Sequence, residues 1–366
     1  MAVKPDSLPW VVIGGGNGGQ SLAGHLGMMG CTVRMLDVVP ETVAAIQAQG
    51  GIALEGQIRG FGRVECATLN PAEAIPGAGM IVVVTPANAH QDVARSCAPF
   101  LADGQVVFIH PGATGGALEF RKVLHEQGCL ARVVILESDS LIYACRSPQP
   151  GRASILGVKK DLLVAALPAV EGARPLRMLQ TAFPQIRAGR NVLETSLGNP
   201  NAMVHPAPTL LNTSLIESGR DWLYYWDGIT PSIGAFVEAM DRERLAVAAA
   251  FGLLLPSIRE WYRLAYGAEG ATLAEAVRNN RAYEKVSGQK TLATRYLTED
   301  IPMGLLPMVS IGKMIGVDVT RMETILNLAQ FITGEDFLSA GRTAERLGLA
   351  GMSATKITTY VETGAR

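Results

Sequence analysis

Three groups of residues have the types and spacing to do chemistry. The first is Gly14-Gly15-Gly16-Asn17-Gly18-Gly19, which satisfies G-x-G-x-x-G at Gly14, Gly16 and Gly19. In such a turn the first glycine allows the tight reversal and the second lets backbone approach a pyrophosphate. The third lets the following helix pack on its strand. Asn17 and Gly18 sit where that helix opens, and its unpaired N–H groups and positive dipole end suit phosphates. Asp37 closes the next apolar run, where a carboxylate accepts hydrogen bonds from ribose hydroxyls and repels a 2′-phosphate. Val38, Val39 and Pro40 bring no basic residue. The combination predicts an NAD site rather than an NADP site; the alternative is a structural glycine turn. Thr85-Pro86 and His110 each end a further apolar run and are expected near the cofactor.

The second group is five histidines, any of which could serve as the acid that a hydride transfer to a carbonyl or imine needs. His25 lies inside the first predicted helix beside its apolar stripe, which suits packing. His125 sits in a charged helix. His90 and His110 adjoin strand tips. His205 stands between Val204 and Pro206 at the start of the helical half, a polar residue suited to facing a ligand cleft at the domain junction, or else to capping. The third group is Arg295 and Asp300, in one polar interval of the helical half. They are either an ordinary surface pair or a carboxylate-binding fork and an acid that orients a histidine.

These residues need a scaffold, and the chain supplies it. Leu8–Ile13, Thr32–Leu36, Met80–Thr85, Gln105–Ile109 and Arg132–Leu136 are strand-length apolar runs. They alternate with the helical stretches Gly18–Met29, Thr42–Gln49, Ala89–Leu101 and Gly116–Gln127. Runs without polar alternation, separated by helices, predict a doubly wound parallel sheet of Rossmann type. Short strands follow at Leu141–Cys145 and Ala153–Val158. Helical periodicity then dominates at Arg242–Leu255, Ile258–Ala265, Leu273–Asn279, Pro307–Ile315 and Arg321–Ile332. The expectation is an α/β NAD-binding domain over 1–195 and an all-α substrate and dimerisation domain over 196–366.

Composition narrows the class. The chain has 366 residues, 48% hydrophobic and 18% charged, enough to bury a large core. Its 32 Lys and Arg against 33 Asp and Glu create no field for nucleic acid or an anionic membrane. Five scattered cysteines without a CxxC predict neither a disulfide framework nor a metal site, and a reducing, cytoplasmic setting. No apolar run has the length of a membrane span, and the first residues do not read as a signal peptide.

Several stretches carry a resemblance: GGGNGGQSLAGHL, HPGATGGALEFRK, YACRSPQPG, HPAPTLLN, YYWDGITPS, TRYLTEDIPMGLLP and GRTAERLGLAG. They are spread over nearly the whole chain and resemble the bacterial opine dehydrogenases of the octopine/nopaline dehydrogenase superfamily. The likeness is greatest to the N-(1-carboxyethyl)-L-norvaline dehydrogenase type, which acts on neutral L-amino acids. The resemblance implies NADH-dependent reductive condensation of an amino acid or amine with a 2-oxo acid such as pyruvate, through an imine; helical C-terminal halves of this type often dimerise, so a homodimer is expected. It places the catalytic histidine on His205, its acid partner on Asp300 and the substrate-binding arginine on Arg295. One departure stands out, since the family pattern has Asn at the position of His110. An extra titratable group there is expected to shift the pH profile or the oxo-acid preference. The aromatic cluster Trp222, Tyr224, Tyr225 and Trp226 either lines the amino-acid side chain, with Trp222 and Tyr225 as contacts, or packs as core. Asn201, Thr209 and Asn212 either orient a ligand carboxylate or, the favoured reading, cap helices. Cys145 and Arg146 are expected to serve local structure. Two rivals remain: a ketopantoate-type reductase, which Asp37 disfavours, and a non-catalytic NAD-sensing protein, which intact His205, Arg295 and Asp300 disfavour.

Overall fold

A computed structural model describes residues 8–365. The described residues form two compact units, one of 8–112, 116–195 and 359–365, the other of 113–115 and 196–358. The last helix, Ala354–Thr363, thus ends in the first unit, although the sequence was expected to assign everything after residue 195 to the second.

Among the described residues the first unit is built on twelve strands: β1 (Trp10–Ile13), β2 (Val33–Leu36), β3 (Gly51–Gly56), β4 (Gly60–Arg63), β5 (Cys66–Thr68), β6 (Met80–Val83), β7 (Val106–Ile109), β8 (Val134–Ser138), β9 (Tyr143–Gln149), β10 (Arg152–Val158), β11 (Leu162–Leu167) and β12 (Ile186–Ala188). Eight of them form a sheet in the order β12-β11-β8-β7-β6-β1-β2-β5, and β3, β4, β9 and β10 form a second sheet. From β5 to β8 every pairing is parallel; β11 alone runs against its neighbour β8. That order reverses at β1 and β6, the switch point where sheets of this kind take ligands at their carboxyl edge. WVVI, MIVV and VVFI are buried at every position, which explains their unbroken apolar character. Helix α1 (Asn17–Met28) follows β1, and α2 (Pro40–Gln49) follows β2. The second sheet is a correction to the sequence expectation, which read only β9 and β10 within it.

The second unit is helical, and its longest helix runs Pro231–Ala250 rather than Arg242–Leu255. The Thr230 hydroxyl accepts the Ile233 N–H and Pro231 takes the first turn, which sets the start. Three of its charged residues, Asp241, Glu243 and Arg244, are buried. Arg244 pairs with Asp241 at 2.7 Å and donates to the carbonyls of Leu197 and Pro256. Glu243 accepts the N–H groups of Arg321 and Met322, at the start of helix Thr320–Thr333. Buried charge with its partners supplied costs little, but it blurs the apolar stripe a helix reading depends on. Among the described residues no helix is long and apolar enough to cross a membrane.

Candidate active site

In the first unit the glycine turn is shaped by close approach. Gly14 has φ +105°, and a Cβ on Gly19 would lie 1.7 Å from the Gly14 carbonyl oxygen. Gly15, which the motif leaves unassigned, is as constrained: its Cβ would meet Asp37 Oδ2 at 1.9 Å. Gly16, by contrast, faces open space. Asp37 is buried, and its Oδ1 accepts the backbone N–H groups of Val38 and Val39 at 2.6 and 3.1 Å. Gln20, missed from sequence, fastens the turn. Its amide donates to the Gly15 carbonyl and to Ser147 Oγ, and its Oε1 accepts the Gly151 N–H. Asn17 Oδ1 accepts the Ser147 N–H, so the Asn17 side chain is tied to β9.

These residues fit a dinucleotide. The first turn of α1 has no side-chain cap and no acid, and open space lies over Gly16. Beside Gly14, at the carboxyl edge of β6, the Thr85 hydroxyl is buried with no hydrogen-bond partner. Pro86 next to it is exposed. His110 is a correction. It is 1% exposed; Ser138 Oγ lies 2.7 Å from Nδ1, and the Ile142 N–H donates to Nε2. Both ring nitrogens are spent within the protein, and burial, with Lys159 nearby, pushes the imidazole down to about 3. It stays neutral and offers no nitrogen to a cofactor. His90 is also fully buried, and His25 Nδ1 lies 2.7 Å from the Tyr143 hydroxyl.

In the second unit His205 joins two short helices, Asn201–Val204 and Pro206–Leu211. Its Nδ1 lies 2.7 Å from Asp300 Oδ2. A carboxylate accepts, so this contact calls for the Nδ1–H tautomer. Nε2 lies 3.1 Å from the Tyr225 hydroxyl. The ring stacks on Tyr296, centroids 3.8 Å apart and planes 7° apart, and Tyr224 meets it edge-on. The Tyr224 hydroxyl donates to the His205 carbonyl at 2.8 Å and pairs with Thr209 Oγ1. Tyr224 and Tyr296 therefore hold both backbone and ring, and neither role shows in the sequence because each contact is tertiary.

Asp300 is placed by an unusual local fold. It lies between the short helix Arg295–Thr298 and a π turn, Ile301–Leu305, whose last N–H returns to the Asp300 carbonyl. Widened turns of this kind often mark functional positions. Arg342, fully buried, braces the turn: its N–H donates to the Pro302 carbonyl and its Nη1 to the Thr114 carbonyl. The partner of Arg295 is Glu299, at 2.6 Å to Nε, rather than Asp300. The Arg295 side chain is 76% exposed.

The remaining expected contacts divide. Trp222 packs as core: its Nε1 donates to the Gln289 carbonyl and its ring fills the space a Cβ on Gly288 would need. Tyr225 is buried but points its hydroxyl at His205. The Asn201 side chain is exposed and does not cap, since Asn199 accepts the Asn201 N–H. Thr209 makes a tertiary tie instead of a cap, whereas Asn212 stands at the C-cap of helix Pro206–Leu211 and donates to the Pro208 carbonyl within it as well as to that of Gly228.

A Rossmann-type unit with an acid after its second strand, joined in one chain to a helical unit with a carboxylate-backed histidine, is the build of an NAD-dependent oxidoreductase. Comparison with known proteins narrows the class. Residues 188–333 match the family model for the NAD/NADP octopine/nopaline dehydrogenase alpha-helical domain. Residues 10–126 match that for the NAD-dependent glycerol-3-phosphate dehydrogenase N-terminus. An opine dehydrogenase of Arthrobacter sp. (strain 1C) is 40% identical over 98% of this chain and 99% of its own length. Two structures of octopine dehydrogenase, one with NADH and L-arginine and one with NADH and pyruvate, superpose with a TM-score of 0.83. Each covers 98% of both chains, at 23% and 24% identity. The chain belongs to the opine dehydrogenase family and is an NAD-dependent oxidoreductase acting on CH–NH bonds.

Proposed function

We propose that this enzyme condenses a neutral L-amino acid, or an amine, with a 2-oxo acid such as pyruvate and reduces the imine to an N-(1-carboxyalkyl) amino acid. The observation that carries the reading is the 2.7 Å contact between His205 Nδ1 and Asp300 Oδ2. Support for the substrate class comes from the Arthrobacter relative and from the octopine dehydrogenase structures, which hold an amino acid in one case and pyruvate in another. NADH, when bound, supplies the hydride. Gly14, Gly16, Gly18, Gly19, the first turn of α1, Asp37 and Thr85 would hold it.

In this reading His205 works as an imidazolium. Asp300 keeps the Nδ1 proton in place and stabilises the positive ring, so the proton that moves is on Nε2. That proton goes to the ketone oxygen as the amine adds; the adduct nitrogen gives a proton back to Nε2, and His205 delivers it to the same oxygen, which leaves as water to form the imine. Arg295 holds a substrate carboxylate through the outer edge of its fork, with Glu299 orienting it from Nε. Tyr296 keeps the imidazole plane fixed throughout.

The test follows NADH loss at 340 nm with pyruvate and a panel of L-amino acids, omitting each component in turn. Oxidation that needs both organic substrates is the expected result. Oxidation with the ketone alone would make the enzyme a simple oxo-acid reductase.

A further inference from the structure

His205 has two ring nitrogens, and both are occupied by this chain's own side chains. Nδ1 is bonded to Asp300, so the proton-transfer atom of the proposed mechanism is Nε2, and that atom already faces the Tyr225 hydroxyl at 3.1 Å. The imidazole cannot swing away, because Tyr296 covers one face at 3.8 Å and Tyr224 closes an edge. The phenol meets Nε2 through its hydroxyl alone. Its ring is stacked on Tyr283, centroids 4.2 Å apart, and the Tyr283 hydroxyl is tied to that of Tyr266 at 2.8 Å. The titratable groups facing His205 are Asp300, Tyr224, Tyr225 and Tyr296. Burial holds the Tyr225 phenol well above its usual range, so it remains a neutral hydroxyl whose oxygen can accept the Nε2 proton of the imidazolium, as a ketone oxygen would.

We propose that Tyr225 is a positioning residue that occupies Nε2 of His205 in the substrate-free enzyme and is displaced by the oxygen of the incoming 2-oxo acid. The phenol and the substrate then compete for one atom. Holding Nε2 keeps a buried ring nitrogen satisfied while the site waits, and the hydrogen bond lost on displacement weakens apparent binding by the same amount. The inference rests on His205 being the proton donor described above.

Tyr225→Phe removes the hydroxyl and keeps the ring on Tyr283. The expected result is a KM for pyruvate lowered roughly two- to tenfold, the range of one net hydrogen bond, with kcat changed less than about twofold. A kcat lowered more than about tenfold at unchanged KM would mean that Tyr225 relays the proton, and would overturn the proposal. An unchanged KM with unchanged kcat would overturn it as well. Nitrogen-15 NMR of histidine-labelled protein supplies a readout independent of turnover. In the variant the Nε2 resonance of His205 should move while Nδ1 stays protonated, and an unmoved Nε2 would sink the contact itself. His205→Ala separates the two readings. Full turnover in His205→Ala removes the mechanism, while the NMR still reports whether Tyr225 holds Nε2. A dead His205→Ala with an unchanged KM in Tyr225→Phe removes the present proposal alone.

Discussion

His110 in the first unit and His205 in the second are both hidden, at 1% and 8% exposure, and both spend two ring nitrogens inside the protein. They differ in what those nitrogens meet. His110 has a hydroxyl and a backbone N–H, with the Lys159 ammonium adding an unfavourable charge. Nothing bonded to that ring stabilises a proton, so burial decides and the ring stays neutral. His205 has a carboxylate on Nδ1, and a proton on its ring completes an ion pair. Burial alone therefore does not mark a proton donor; the charge of the partner does.

The largest effects that test this contrast are kinetic. His205→Ala and Asp300→Ala should each cut turnover at least ~100-fold, the low end of general acid–base catalysis. Full activity in either variant would remove that residue from the mechanism. At His110 the corresponding effect is on stability. Unfolded, its imidazole takes up a proton below about 6.5; folded, it does so only near 3. Between those values the unfolded chain binds more protons, so stability is fully present above about 6.5 and falls with the pH below it. Lowering the pH from 7 to 5 should cost up to about 2 kcal/mol through this group. Urea melts of the wild type and His110→Asn at both pH values would check it. The variant should lose most of this slope, keeping the part contributed by His25, which burial also lowers. Its pH–activity profile should match the wild type; a displaced profile would restore a functional role for His110.

The same contrast shows what the sequence could and could not convey. β1, β6 and β7 were legible because strands buried on both faces are unbroken apolar runs. β3 and β4, GIALEG and GFGR, were not, since glycine and single charges give neither alternation nor a run. In helix Pro231–Ala250 the buried Asp241, Glu243 and Arg244 interrupt the apolar stripe, and only Thr230-Pro231 marks its start. Residue type and local setting marked His205, Arg295 and Asp300 as candidates, and the 2.7 Å contact of two of them is a tertiary fact. The neutral surroundings of His110 are equally tertiary. A histidine at a strand tip looks the same in sequence whether its neighbours can hold a proton or not.

Arg295 and the ring stacks test the finer part of the comparison. Arg295→Lys keeps the charge but loses the planar fork, and its expected outcome is a KM for the carboxylate substrate raised about tenfold with kcat little changed. Both histidines also lie on an aromatic ring: His205 on Tyr296 at 3.8 Å and 7°, His110 on Phe108 at 4.9 Å and 27°. An aromatic pair is worth about 0.5–1.5 kcal/mol beyond its buried area. If the Tyr296 stack keeps a working imidazole in plane, Tyr296→Leu should lower kcat/KM by roughly two- to tenfold, the kinetic equivalent of that energy, and Tyr296→Phe should retain most of the activity. If the Phe108 stack only packs, Phe108→Leu should lower stability by about 1–2 kcal/mol and leave kcat/KM of the folded enzyme unchanged. Equal behaviour of the two leucine variants, both silent in kinetics or both impaired, would show that the rings under the two histidines do the same job, and that the partner on Nδ1 is the whole of the difference between them.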